Sequence, residues 1–192
     1  MKQLILASGS PRRKELLTQI VREFSVVPSN YDEDMTLKKN PQDLALHLSE
    51  GKAQDVAKEY SDAIILSADT FVVVNGEVLG KPKDLDDAKK MLRKESGKKQ
   101  EVISGITVLD SSTGRKTKKS VMSFVYMREL TDEEIAEYVT THEVLDKSGS
   151  YAIQEIGNKF VEKIEGSFTN IMGLPVEEVK KMLREFGIEI FE

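Results

Sequence analysis

The sequence contains no cysteine and only two histidines, His47 and His142. The absence of cysteine excludes disulfide bonds, thiol nucleophiles and cysteine-based zinc sites, and two histidines leave little material for a histidine-rich metal site. We therefore expect any bound metal to be a hard cation held by oxygen atoms. The sequence also lacks an apolar run as long as a membrane span, and its N-terminal apolar segment is too short for a signal peptide. These absences predict a cytoplasmic protein with no membrane partner.

The charge balance is slightly acidic, with 33 Asp and Glu residues against 28 Lys and Arg residues and a net charge of -5. This balance argues against general affinity for nucleic acid. The local basic residues are Lys98, Lys99, Lys116, Lys118 and Lys119. We interpret these lysines as solvated positions at a sheet edge or turn, with a nucleic-acid-binding module as the alternative. At 192 residues, 39% of them hydrophobic, the chain suits one domain over residues 1–192.

The most informative stretch runs from Leu4 to Arg13. Its four apolar residues predict a buried strand, and Ser10 followed by a proline is typical of the cap and first residue of a helix. Arg12 and Arg13 then fall in the first turn, where the helix dipole is already positive. Either both side chains are solvated or an anion joins them. The second interpretation predicts a phosphate site made of helix N–H groups, the two arginines and the hydroxyls of Ser8 and Ser10.

Two charged residues interrupt apolar patterns further along the chain. In the helix predicted from Pro41, Lys52 lies within the apolar stripe, so it either snorkels past the helix edge or meets an anion. Asp69 interrupts the apolar runs 63–68 and 71–74, which predict strands covered on both faces. Because a buried carboxylate needs a partner, we expect Asp69 to bind a cation or transfer a proton, with a structural hydrogen bond as the alternative.

Six charged residues fit poorly as pure structure and form the candidate site. They are Arg12, Arg13, Lys52 and Lys81, together with Glu33 and Asp69. Four cations that converge with serine hydroxyls suit a triphosphate. Two carboxylates beside them suit a magnesium-like ion that bridges phosphate oxygens and a water nucleophile. The predicted reaction is metal-assisted attack of water on phosphorus.

The remaining pattern predicts alternating helices and strands. Helices are expected over 11–23, from 41 with Asn40 as its cap, from 85 to near 97, from 132 after a capping box at Thr131 and Glu134, and after 175. Strands are expected over 25–27, 101–109 and 121–128, the last two as a hairpin, with strand-like stretches over 151–154 and 160–164. Asn75-Gly76 predicts a tight hairpin that directs Lys81 toward the same site as Asp69.

Several motifs in order along the chain resemble those of the Maf family of nucleoside triphosphate pyrophosphatases, which is associated with septum formation. They are ASGSPRR at 7–13, ADT at 68–70 with LGKP at 79–82, DK at 146–147 with YAIQ at 151–154, and GLP at 173–175. The resemblance covers essentially the whole chain. It implies an α/β fold in which an elongated curved mixed sheet is flanked by helices, two lobes around a central cleft, and a homodimer in many members.

The resemblance also implies an activity and roles for single residues. The activity is hydrolysis of a nucleoside triphosphate to the monophosphate and pyrophosphate with a divalent cation, magnesium or manganese. Asp69 matches the general base, while Glu33 and Lys52 match the acidic loop and the helix lysine of the family. The positions associated with substrate choice are matched by Arg12, Thr70 and Gln154.

The YAIQ motif resembles the branch of the family that acts on dTTP and UTP rather than 7-methyl-GTP. A glutamine amide suits that substrate, because it can donate to and accept from the O4 and N3–H edge of uracil or thymine. Three residues depart from the family pattern: Gln100 stands where histidine is frequent, Ser148 where alanine is, and Glu155 where glycine is. Because Glu155 follows Gln154 directly, its acid group is expected to reshape the base pocket.

The sequence therefore predicts an enzyme that removes non-standard or surplus pyrimidine triphosphates. The alternative is a nucleotide-binding regulator of cell division that senses triphosphates without turnover.

Overall fold

A computed structural model describes the chain over residues 2–34 and 36–191, without the side chain of residue 158. The strands are β1 (Gln3–Leu6), β2 (Ser25–Val26), β3 (Ala63–Val74), β4 (Glu77–Leu79), β5 (Lys99–Asp110), β6 (Lys116–Met127) and β7 (Val161–Glu165). The helices are α1 (Pro11–Thr18), α2 (Pro41–Ala57), α3 (Leu85–Glu95), α4 (Asp132–Thr141), α5 (Ile153–Phe160), α6 (Phe168–Ile171) and α7 (Val176–Glu185).

The strands over this part of the chain form one open sheet in the order β2-β1-β3-β5-β6-β7, with β4 paired to β3. The sheet is mixed, because β1 runs parallel to β2 and β3 whereas β4 is antiparallel to β3 and β7 is antiparallel to β6. A mixed sheet with flanking helices confirms the predicted α/β class.

The chain divides into two compact units. The first comprises the residues up to Thr70, Ser104–Val121 and the residues from Gly173 onward, and the second comprises Phe71–Ile103 and Met122–Met172. Strands β3, β5 and β6 each contribute residues to both units. The two units agree with the two lobes that the resemblance implies, and the central cleft stays a prediction.

In the first unit, a short N-terminal strand and a long helix carry the candidate site. The side chain of Ser10 caps α1 and that of Asn40 caps α2, as their sequences predict. A Cβ atom on Gly105 of β5 would lie 2.2 Å from the backbone of Ala45, so the α2 backbone packs directly against this strand. The absence of a side chain at Gly105 therefore sets how closely α2 approaches the sheet.

Helix α1 is shorter than the pattern predicts, because it ends at Thr18 rather than near residue 23. The chain leaves the helix through tighter bonds, in which the Gln19 and Ile20 N–H groups donate to the carbonyls of Leu16 and Leu17. Ile20 and Val21 are nevertheless buried. Both side chains are buried by the turn that follows α1. Their spacing in the sequence matches that of a helical face, although they lie outside the helix.

In the second unit, the predicted hairpin and helix caps are confirmed. Asn75 and Gly76 have φ values of 51° and 79°, which is the backbone that a tight two-residue turn requires. Thr131 and Glu134 form the reciprocal hydrogen bonds of a capping box at the start of α4.

Of the two strand-like stretches expected over 151–154 and 160–164, the second is confirmed as β7 (Val161–Glu165), and the first is wrong, because α5 begins at Ile153. The buried residues of this segment are Ile153, Ile156 and Phe160. Ile153 and Ile156 share one face of the first turn of α5, and the non-helical backbone of Gly157 (φ 9°, ψ -117°) separates this turn from Phe160. The short apolar run over 151–153 fits a strand as well as the start of a helix, so packing decides its structure.

Two of the five locally clustered lysines are paired within the first unit. Lys116 and Lys118 of β6 lie 2.5 and 2.6 Å from the two carboxylate oxygens of Glu50. The two lysines therefore lie at the surface in ion pairs with Glu50, whereas the sequence predicted solvated positions. Among residues 2–34 and 36–191, no helix combines the length and apolar character needed to cross a membrane.

Glu95, the last residue of α3, is a buried acid in the second unit. It is 0% exposed, and neither carboxylate oxygen has a hydrogen-bond partner among the described residues. Burial raises the pKa of the Glu95 carboxyl well above its ordinary value. Its position at the negative end of the α3 dipole also disfavours the charged form.

We predict that Glu95 makes folding stability depend on pH. A carboxyl whose pKa is raised by folding binds a proton that the unfolded chain releases, so its contribution is lost as pH rises above the ordinary carboxyl pKa. Over that window the free energy of unfolding should fall by about 1.4 kcal/mol per pH unit. Glu95→Gln should remove this slope in urea unfolding between pH 5 and 8, whereas the exposed Glu137→Gln should keep it. An identical slope in the wild type and Glu95→Gln would contradict the prediction.

Candidate active site

Lys52 of α2 is the centre of a charged cluster in the first unit. Its side chain is 12% exposed, and its Nζ atom lies 2.9 Å from Glu33 Oε1 and contacts Asp69 Oδ1 directly. The sequence left two possibilities for this lysine, snorkelling to solvent or meeting an anion inside. The structure supports the second, and the anions are two carboxylates of the chain itself.

The loop that carries Glu33 is fixed to α2 at several points. The Ser29 hydroxyl and the Asn30 N–H donate to Asp55 Oδ2 over 3.0 and 2.8 Å. The ring of Tyr31 lies where a Cβ atom on Gly51 would be, 2.3 Å from its nearest atom. The loop therefore packs on α2 at the residue before Lys52, and this contact holds Glu33 near the lysine.

Asp69 lies inside one continuous strand, β3, rather than in a break between two strands. The residue is buried, and Lys52 donates to its Oδ1 atom. A buried carboxylate in a strand interior is tolerated because this ammonium compensates its charge. The pair brings together residues from two elements that are 17 positions apart in sequence.

Arg13 organises the neighbouring group of hydroxyls. Its Nε atom donates to the Gly173 carbonyl over 2.8 Å, and its two terminal nitrogens donate to Ser8 Oγ and Thr70 Oγ1, each over 3.3 Å. The guanidinium thus ties the loop after β1 to the end of the first-unit part of β3 and to the GLP segment. Its donors meet neutral oxygens, and among the described residues no acid contacts the Arg13 guanidinium directly.

Burial lowers the pKa of Arg13, and the carboxylates of Asp69 and Glu33 oppose that shift. Arginine has so high an ordinary pKa that the group keeps its charge at neutral pH. The guanidinium is half-buried and its direct partners are neutral oxygens, so the carboxylates of Asp69 and Glu33 compensate its charge from a distance. The retained positive charge favours binding of a negatively charged group near Arg13.

Arg12 and the serines complete the N-terminal part of the site. Within the described residues the half-buried Arg12 guanidinium has no hydrogen-bond or ion-pair partner. Ser8 Oγ accepts from the Ser10 N–H at 3.2 Å, and Ser10 Oγ accepts from the Arg13 N–H at 3.5 Å. The start of α1 thus presents an unengaged cation beside serine hydroxyls, as the phosphate-site interpretation predicts.

Two contributors were not identified from the sequence. Ser104 Oγ lies 2.7 Å from Thr70 Oγ1, and the Gly173 carbonyl accepts from both Arg13 and Thr70. A serine followed by a glycine in the middle of an apolar strand was the available signal for Ser104. The role of a backbone carbonyl such as that of Gly173 leaves no residue-type signal at all.

Lys81 and Gln154, the other two predicted site residues, belong to the second unit. Both are exposed, Lys81 after β4 and Gln154 in the first turn of α5. Their segments are neighbours within this unit, because the Gly149 N–H donates to the Gly80 carbonyl over 3.1 Å. The first unit brings together the eight remaining predicted residues: Ser8, Ser10, Arg12, Arg13, Glu33, Lys52, Asp69 and Thr70.

The carboxylates of Glu33 and Asp69 fit a divalent cation that is shared with a ligand. Both contact one ammonium group, so a single small cation is able to meet both. Magnesium is typically held by one or two carboxylates together with phosphate oxygens and water. The described residues contain no group of three or more acidic or histidine side chains that could hold a metal by themselves. The donor set therefore suits a metal that arrives with phosphate.

Comparison with known proteins gives matches over almost the full length of the chain. The sequence pattern of the family described as Maf-like protein matches residues 3–186. A dTTP/UTP pyrophosphatase of Methanosarcina barkeri is 47% identical over 193 residues, which cover 100% of this chain and 98% of that protein. Proteins of the same name from Methanosarcina mazei and Caldicellulosiruptor saccharolyticus are 46% and 40% identical, each over 100% of this chain and 98% of their own length.

We predict that Gly51→Ala destabilises the protein although alanine favours helices. In a free helix the substitution would stabilise by about 1 kcal/mol, but here the new methyl group occupies the position of the Tyr31 ring. Overpacking of this kind costs about 1–3 kcal/mol. Urea unfolding should show the loss, and in a Tyr31→Ala background the same substitution should become stabilising. Destabilisation in both backgrounds would show that the Tyr31 contact is not the cause.

Proposed function

Because the chain belongs to the Maf family, we propose that it is a nucleoside triphosphate pyrophosphatase that hydrolyses dTTP and UTP, and modified pyrimidine triphosphates, to the monophosphate and pyrophosphate. The observation that carries this proposal is the contact of Lys52 with both Glu33 and Asp69, beside the arginines and serines at the start of α1. A cluster of cations and carboxylates suits binding of a polyphosphate and activation of water. The names of the full-length relatives support the same activity.

The arginines and serines are proposed to bind the phosphates. Arg12 is available for a direct contact, and Arg13 supplies charge while it holds Ser8 and Thr70 in place. The Ser8 and Ser10 hydroxyls accept from backbone or guanidinium N–H groups and therefore keep their own protons for donation. Lys81 is proposed to contribute a fourth cation. Together these groups would compensate the several charges of a triphosphate.

Asp69 is proposed as the general base. Lys52 donates to Oδ1 of this carboxylate, which leaves Oδ2 to accept a proton from the attacking water. The water oxygen forms the new bond to phosphorus, the anhydride bond between the α and β phosphates breaks, and pyrophosphate leaves. Glu33 and Asp69 are also the proposed ligands of a magnesium or manganese ion, which supplies charge compensation on the phosphate oxygens when bound.

Gln154 is proposed to recognise the pyrimidine ring of the nucleotide, because its amide can pair with the O4 and N3–H edge of uracil or thymine. Thr70 and Arg12 are the other proposed determinants of substrate choice. Thr70 is held by Arg13, Ser104 and the Gly173 carbonyl, so its hydroxyl has a fixed position.

The activity is tested by incubation with dTTP or UTP and Mg²⁺ and by identification of the products. We expect equal amounts of monophosphate and pyrophosphate. Release of orthophosphate without pyrophosphate would contradict the proposed reaction. Tight binding of dTTP without any turnover would instead support a nucleotide-sensing regulator.

Asp69→Asn is predicted to lower kcat for dTTP by about 10²–10⁴-fold, because the variant cannot accept the proton of water. Affinity for a non-hydrolysable dTTP analogue, measured by calorimetry, should change much less. Asp110→Asn is the matched control, since Asp110 also pairs with a lysine, Lys2, at 2.6 Å but lies outside the proposed site. Equal losses of kcat in the two variants would argue against a role of Asp69 as base.

A further inference from the structure

Tyr138 of α4 connects both ends of the turn that carries Gln154. Its hydroxyl oxygen accepts from the Ala152 N–H at 3.3 Å, and the same hydroxyl donates to Glu155 Oε2 over 2.8 Å. The backbone closes this turn from inside, where the Glu155 N–H donates to the Ala152 carbonyl over 2.9 Å. Gln154 therefore lies between Ala152 and Glu155, and the buried Tyr138 hydroxyl makes hydrogen bonds with both.

The Tyr138 ring has little freedom to move. It is 4% exposed, it stacks on His142 with 4.3 Å between ring centroids, and it meets Phe160 edge to face at 5.5 Å. Burial, together with the hydrogen bond to Glu155, raises the pKa of Tyr138. The hydroxyl consequently keeps its proton at any pH used for an assay, and it can donate throughout.

Glu155 has a second partner within the same unit. Its Oε1 atom lies 3.9 Å from Lys147 Nζ, and that ammonium also lies 2.8 Å from Asp146 Oδ1. The carboxylate is thus directed toward Tyr138 and Lys147. The sequence predicts that Glu155 reshapes the base pocket, and these contacts place its carboxylate against the side chains around the turn that carries Gln154.

We propose that Tyr138 and Glu155 are positioning residues that orient Gln154 for pyrimidine recognition. This inference rests on the proposed function, since it concerns how that function selects its base. An amide distinguishes uracil or thymine from cytosine only if its oxygen and nitrogen are held in one orientation, because cytosine presents the reverse donor and acceptor pattern at the same edge. A turn fixed at both ends limits the orientations available to Gln154.

The test compares kcat and KM for dTTP and dCTP in Tyr138→Phe, which loses the hydroxyl and keeps the ring. Loss of the two hydrogen bonds should raise KM for dTTP about five- to tenfold and narrow the preference for dTTP over dCTP, with kcat at saturation within about twofold. Glu155→Ala should behave like Tyr138→Phe, and Glu155→Gln should restore most of the preference because it keeps an acceptor. Tyr126→Phe is the matched control, since its hydroxyl bonds Glu165 at 3.0 Å elsewhere in the second unit.

A double-mutant cycle shows whether Tyr138 acts through Gln154. In a Gln154→Ala background, Tyr138→Phe should leave the ratio of dTTP to dCTP turnover unchanged. A Tyr138→Phe enzyme with unaltered preference, or an equal change in the Gln154→Ala background, would overturn the inference. If Tyr138→Phe does not fold, Glu155→Ala and Glu155→Gln decide the question by the same measurements. Pyrophosphate release from dTTP by the wild type tests the proposed function separately, so failure of one is distinguishable from failure of the other.

Discussion

The arrangement of the first unit depends on charge compensation of Lys52, whose ammonium group points inward from α2. Lys52 is largely enclosed, and a buried cation is tolerated only with anionic partners. Asp69 supplies one partner from the interior of β3, and Glu33 supplies the other from a loop pinned on α2. Because Lys52 needs anionic partners, two carboxylates lie close together at its ammonium group. This is the arrangement that the proposed metal-assisted hydrolysis of phosphate requires.

The two adjacent arginines share a helix turn and have different surroundings. Arg13 is held by oxygens of Ser8, Thr70 and Gly173, so it fixes the positions of groups that come from three separate segments. Arg12 meets no such partner within the described part of the chain. Arg13 therefore stabilises the arrangement of the site, and Arg12 is available to contact a ligand. Two cations at the positive end of a helix are costly in isolation, and a bound polyanion would offset that cost.

Much of the fold could be predicted from local chemistry. The caps Ser10 and Asn40, the Asn75-Gly76 turn and the Thr131 capping box each act within a few residues, and the sequence identifies them. The errors arose where packing decides the backbone. Apolar residues after Thr18 are buried from a turn rather than a helix, and Ile153, expected in a strand over 151–154, begins α5.

The sequence by itself determined which residue types are out of place: an inward lysine, an acid inside a buried strand and two arginines in a first helical turn. It also determined the family, through motifs spread over the chain. Only the tertiary structure decided that Lys52 meets Glu33 and Asp69 together, that Arg13 binds Ser8 and Thr70, and that the Tyr138 hydroxyl spans Ala152 and Glu155. These contacts join residues from separate elements. Which residues meet depends on how the elements pack, and residue type and local spacing do not encode that packing.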